Sequence, residues 1–170
     1  MKDYVVPDDS GIIALVNPDK YESFVSEHWE LDQLLNHFIE AMQKQSLLVW
    51  SSGCEGNWKV RVAFEDIGST GYREAIGLIE VTSNSLYLTS YDNLTMAAQY
   101  EDEILITSKD ADSRIEILNG LYQCKIIQFF NPNDADSETI FFQDSPHFII
   151  EITRSNEKLE TWAAVPWLEL

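Results

Sequence analysis

The chain has 170 residues, 45% hydrophobic, 12% aromatic and 24% charged. That is the profile of a globular domain that can bury its own core, and it excludes a disordered or fibrous chain. Lys and Arg number 11 against 29 Asp and Glu, a formal net charge of −18, so the basic footprint that phosphate recognition starts from is missing, and neither nucleic acid nor an anionic membrane is an expected partner.

No repeat, low-complexity tract or linker divides the sequence, and one domain over 1–170 is expected, with a helical N-terminal part at 1–45 and a β-sandwich at 46–170. The first residues contain acidic and prolyl interruptions before any apolar run, which is not the pattern of a secretory leader. Ile12 to Val16 is too short to span a bilayer. Pro18, with Asn17 as N-cap, suits a short helix presenting Tyr21, Phe24 and Val25 on one face. From Leu31 the apolar positions Leu31, Leu34, Leu35, Phe38, Ile39 and Met42 follow helical spacing, which predicts an amphipathic helix to about Lys44.

After Ser46 the period becomes two. Trp58, Val60, Val62 and Phe64 alternate with Lys59, Arg61 and Ala63, as a half-buried strand requires. Further strands are expected at 47–50, 73–81, 85–89, 103–107, 114–118, 121–130, 139–143 and 148–153, with Asn119-Gly120 as a two-residue hairpin turn. The segment at 121–130 is apolar on both phases toward its end and should sit centrally. The tail, with Trp162 and Trp167, is too apolar to stay in solvent and should dock on the domain, with a binding patch as the second reading. The predicted class is α+β, mainly β: an antiparallel β-sandwich with the N-terminal helical segment packed on it.

Several stretches invite a family comparison. Leu48 to Val62, Leu86 to Asp102 and Gly120 to Ile126 together resemble a family of uncharacterised bacterial proteins of about this size, a resemblance that brings no activity or site residues with it. The run Ile117 to Tyr122 is similar to a segment of the competence-linked nuclease inhibitor of bacilli, a small acidic β-rich protein. That likeness implies an inhibitor or immunity role and transfers no residues.

Catalytic chemistry has few footholds. His28, His37 and His147 show no metal or acid-base spacing, and each reads first as a solvated or singly hydrogen-bonded histidine. Cys54 and Cys124 form no CxxC, which suits two free thiols in a reducing cytoplasm. Cys54 lies in a glycine-flanked loop, but Glu55 and the negative field around it should raise its pKa and deactivate it. No GxSxG, Walker-type loop or GxGxxG occurs. No catalytic residue and no cofactor are assigned. Asp110 with Asp112, and Asp134 with Asp136, could chelate calcium between loops or simply form solvated acidic turns.

Charge distribution is the stronger signal. No Lys or Arg occurs between Arg73 and Lys109, where Glu74, Glu80, Asp92, Glu101, Asp102 and Glu103 stand, and the same gap recurs between Lys125 and Arg154. Such loops either serve solubility or attract a basic partner. Tyr91, Asp92, Tyr100, Glu101, Asp102 and Glu103 are the expected partner-binding residues. The expected function is a non-enzymatic acidic binding module in the cytoplasm, an inhibitor or immunity protein for a basic partner such as a nuclease or toxin. The alternative is a small-ligand or calcium-binding β-sandwich domain, or an enzyme of unrecognised type.

Overall fold

The structure, a computed structural model, describes residues 1–106, 108–134, 144–156 and 159–170. Strands β1 (Lys2–Asp8), β4 (Gly56–Ala63), β9 (Phe148–Arg154), β8 (Gly120–Gln128) and β5 (Arg73–Val81) lie side by side in that order in a five-stranded sheet. A four-stranded sheet has the order β3 (Leu47–Ser51), β2 (Ile12–Val16), β6 (Ser85–Ser90), β7 (Arg114–Glu116). All pairs are antiparallel except β4 with β9, which run parallel with Val60 opposite Phe148. With helices α1 (Leu31–Gln43) and α2 (Tyr91–Gln99), the fold is α+β and mainly β, and neither sheet closes into a barrel.

Side-chain alternation explains how the layers meet. In β2, Ile13 and Leu15 join one apolar cluster with Trp50, Trp58, Phe148 and Ile150, to which strands of both sheets contribute. The intervening Ile12, Ala14 and Val16 join a second cluster with Leu34, Phe38 and Met42 of α1. Strand β2 is therefore buried on both faces, which is why Ile12–Val16 reads as an uninterrupted apolar run. The tail docks as expected. Trp162 Nε1 donates to Ile76 O at 2.6 Å, Ser51 N donates to Pro166 O at 3.0 Å, and Val165 is buried. A Cβ on Gly77 would stand 2.9 Å from the Trp162 ring, so the strand can carry no side chain where the tail crosses it.

The helix predicted to start at Leu31 is present, and Glu30 N at its head donates to Gln33 Oε1 at 2.9 Å. Several expectations are corrected. The 1–45 part is not helical throughout, because β1 and β2 precede the helix: Tyr4, Val6 and Asp8 alternate inward along β1. The Pro18 segment makes one turn, with Asp19 N donating to Asn17 Oδ1, and then leaves helical geometry as Val25 N and Ser26 N donate to Ala98 O. Residues 103–106 form no strand. They follow the turn at 101–102, and Ile104 is 70% exposed with no neighbouring strand to pair it.

Asn119-Gly120 is not a hairpin, since β7 and β8 belong to different sheets. Instead Asn84 and Asn119 clasp two crossings together: Asn84 N donates to Asn119 Oδ1 at 2.7 Å, and Asn119 N to Asn84 Oδ1 at 3.3 Å. The segment from 121 is interior to its sheet, between β9 and β5. Phe64 lies just past β4 and is exposed. The strand expected at 139–143 lies outside the described residues. Among the described residues no helix is long and apolar enough to cross a membrane.

A buried carboxylate binds two of the crossings between sheets. Asp8 Oδ1 accepts from Ser10 N and Ile12 N, both at 3.1 Å, and Oδ2 accepts from Ser52 Oγ at 2.8 Å and Trp58 Nε1 at 2.9 Å. Ser52 N donates to Gly11 O, and Gly11 turns the chain with φ +73°. Asp8→Ala should lower unfolding free energy by about 3 kcal/mol or more, because it strands several buried donors at once. Urea denaturation checks this, and a loss below about 1 kcal/mol would contradict the role given to Asp8.

Candidate functional site

Helix α2 and the turn after it carry the expected partner-binding residues. The helix exists because Leu94, Ala97 and Ala98 form one buried face over the second cluster. Tyr91 is half-buried there, and its pKa is raised by burial and then by Asp92. Tyr100 is 44% exposed at the other end. The two tyrosines are thus separated by the helix length, roughly 13 Å, and do not form one patch centre.

Asp92 is exposed and accepts from Ser10 Oγ at 3.2 Å, which brings the exposed Asp9 beside the start of α2. Glu101 and Asp102 form an exposed turn and Glu103 follows it. None of Asp92, Glu101, Asp102 and Glu103 joins an ion pair among the described residues. The pairs lie elsewhere: Lys20 with Glu80, Lys59 and Arg61 with Asp3, and Lys125 with Glu74. Among the described residues no ion pair compensates the negative charge on this surface.

The candidate calcium ligands are dispersed over separate features. Asp110 and Asp112 sit in a 3-10 turn at Ser108–Ser113, where Ser113 Oγ donates to Asp110 O at 2.8 Å. Asp134 Oδ2 accepts from Asn131 Nδ2 at 2.7 Å. Asp136 lies outside the described residues. Among the described residues no group of three or more His, Cys, Asp or Glu side chains is placed to hold a metal.

His28 is exposed ahead of α1. His147 is buried against Trp58 and Phe130, and its Nδ1 accepts from Lys59 N at 2.9 Å. His37 is half-buried beside Tyr21, with no partner for its buried Nε2. Burial holds the His37 pKa below the ordinary value, against the opposing pull of the Glu22 backbone and the Glu40 and Glu22 charges, while Lys44 adds to the lowering.

Cys54 lines a cavity of about 350 Å³ where the chain crosses between the sheets. Its thiol pKa is raised first by burial and next by Asp8, with Arg73 opposing and Glu55 adding a smaller push. Cys124 is fully buried and its pKa is raised by that burial alone. The acidic surroundings anticipated from Glu55 are present, but desolvation and Asp8 outweigh that residue.

Sequence reasoning missed Arg73, which lines the same cavity against Trp167 with the guanidinium carbon 4.5 Å from the ring centre. No spacing signal joins residues so far apart in sequence. The only hint was an Arg opening a strand next to Tyr72, in a chain with few cations.

Two sheets in this order with two helices define the fold class, and the comparisons with known proteins rest on it. No protein-family model matches the sequence, and no curated protein does either. Among solved structures the chain is similar to the crocagin biosynthetic gene J product, with TM-score 0.63 at 13% identity, over 91% of this chain and 96% of that one. It is also similar to ComJ, the inhibitor of the DNA-degrading activity of NucA from Bacillus subtilis, with TM-score 0.52 at 11% identity and the same coverage. The likeness to a nuclease inhibitor of bacilli read from Ile117–Tyr122 therefore has a counterpart in the fold.

Two outcomes follow from the titratable groups. A thiol-specific reagent at neutral pH should modify Cys54 more slowly than a free model thiol and leave native Cys124 unmodified, because a raised pKa leaves less thiolate. Faster-than-model labelling would overturn this account of the loop. For His37 the folded pKa lies below the unfolded one, so the unfolded chain takes up its proton first as pH falls below about 6.5. Stability should drop there, and His37→Gln should show a shallower drop between about pH 7.5 and pH 5.5, measured by urea denaturation at each pH.

Proposed function

We propose that the chain is a non-enzymatic binding module that inhibits or neutralises a basic protein, a nuclease or toxin being the class in view, in the cytoplasm. An acidic β-sandwich is the scaffold, and α2 with the 100–103 turn is the docking surface. The observation that carries this reading is the set of exposed carboxylates at Asp92, Glu101, Asp102 and Glu103, outside every ion pair among the described residues, on a fold similar to that of a nuclease inhibitor. A nuclease holds a cationic groove for the phosphate backbone, and carboxylates on a rigid support present the opposite charge to such a groove. Tyr100 supplies the exposed aromatic surface beside the acids that a central anchor needs.

Charge steering makes the proposal measurable. Capture with the full chain as bait at low salt, followed by stopped-flow association with the captured basic protein, should show an on-rate that falls more than about tenfold as the Debye length shrinks from about 30 Å at 0.01 M to about 8 Å at 0.15 M salt. Reversing Glu101, Asp102 and Glu103 together to Lys should slow association far more than reversing Glu27, Glu30 and Glu40. An on-rate indifferent to both changes would show that the acidity serves solubility and would remove the basis of the proposal.

A further inference from the structure

The cavity beside the sheet crossings contains a cation that the fold holds rigidly and that has no carboxylate partner among the described residues. Arg73 Nε donates to Gln128 Oε1 at 2.9 Å, and Nη2 donates to Ser51 O at 3.1 Å. Gln128 is itself fully buried and donates through Nε2 to Ser52 O at 3.0 Å and Phe130 O at 3.2 Å. The guanidinium therefore cannot rotate without breaking bonds that reach into the core. Trp167 covers one face of it and takes φ +64°, a left-handed conformation that costs an aromatic residue energy. Strain of this kind persists only where the surroundings enforce it.

A guanidinium has five N–H donors, and two are used here, which leaves three on a side chain that lines the cavity. None of the four ion pairs among the described residues includes Arg73. Burial lowers its pKa, the mark of a cation that has lost water, and Tyr72 and then Glu169 oppose that shift, Glu169 standing at the rim outside the ion pairs of the described residues. In a chain of net charge −18, a half-buried arginine that joins no ion pair among the described residues is an unfilled half of a recognition pair.

We propose that this cavity binds one planar carboxylate, carried on an apolar or aromatic group that lies along Trp167 and Tyr72. A carboxylate matches the flat guanidinium fork with parallel hydrogen bonds, and one negative charge is what one cation neutralises. A phosphate dianion would bring a second charge up to a rim that already holds Glu55 and Glu169. The volume of about 350 Å³ is at the lower end for ligand sites and suits a small organic acid or the last residue of a peptide with a free C-terminus. This site and the α2 surface use different residues, so either can fail without the other.

The test uses the full chain labelled with 15N and follows the Arg73 Nε–H and Trp167 indole signals. Benzoate should shift both saturably with a dissociation constant of about 1 mM or tighter, and its neutral analogue benzamide should not. Inorganic phosphate should bind more weakly than benzoate. A short peptide ending in Phe, offered as free acid and as amide, separates the two sources. Tighter binding of the free acid than of benzoate assigns a chain terminus, and weaker binding assigns a small acid. Arg73→Lys keeps the charge and loses the fork, and should weaken benzoate at least about tenfold. Arg73→Met should abolish binding, and if its backbone spectrum collapses, Arg73→Lys decides alone. Equal shifts from benzoate and benzamide, tighter binding of phosphate, wild-type affinity in Arg73→Lys, or no saturable shift would each overturn the proposal.

Discussion

One carboxylate organises the end of the molecule where the chain changes sheets. Asp8 closes β1, and its two oxygens accept from the turn that leads to β2, from the loop that leads from β3 to β4, and from the indole of Trp58 inside the core. A buried charge is tolerated only when its lone pairs are occupied, and four donors occupy these. Fixing Trp58 has further effects, because its ring stacks on Phe130 at 4.8 Å and meets Phe148 edge-on at 5.9 Å. Ser52 extends the network: its hydroxyl lies 2.8 Å from both Asp8 Oδ2 and Cys54 O, and its carbonyl accepts from Gln128, which holds Arg73. One connected set of polar contacts thus joins an interior anion to the cation in the cavity.

The distribution of charge follows the architecture. Lys59 and Arg61 share Asp3, and Lys125 takes Glu74, on the five-stranded sheet, so much of the scarce positive charge is used there. Partly exposed pairs of this kind contribute little stability each, and none of the ion pairs among the described residues lies on the α2 surface. Repulsion among those acids destabilises the folded state modestly and lengthens the reach of the negative field toward a cationic surface. Arg73 is the counter-example within the same protein, a cation that joins no ion pair among the described residues.

Much of this fold is legible in the sequence where one physical period dominates. Leu34, Leu35, Phe38 and Met42 repeat at helical spacing because one face of α1 meets a sheet, and Trp58, Val60 and Val62 alternate because one face of β4 meets the core. Helix α2 escapes that reading, since nine residues with small Ala97 and Ala98 on the buried face make too faint a stripe. Ile104 to Ile106 mislead in the opposite sense: β-branched residues favour a strand, yet a strand needs a neighbour, and the free edge beside β6 is taken by β7. The acidic surface is legible as a gap in Lys and Arg. The Arg73 and Trp167 contact is not, because it joins the start of β5 to the docked tail, and only the folded chain brings them together.

The place of β9 sets the order in which the molecule can be completed. The last described strand lies in the middle of the five-stranded sheet, with β4 on one side and β8 on the other, and its parallel pairing sets Val60 against Phe148 across about half of the chain. Loop closure over that distance must be met before the central ladder gains anything, so the sheet cannot grow progressively from the N-terminus. Emerging from the ribosome, β1 with β4 and β5 with β8 would be two unjoined ribbons with open edges until residues 148–154 arrive. Assembly is therefore a late, collective event, and the interval before it is when this chain is most exposed to association through its unpaired strands.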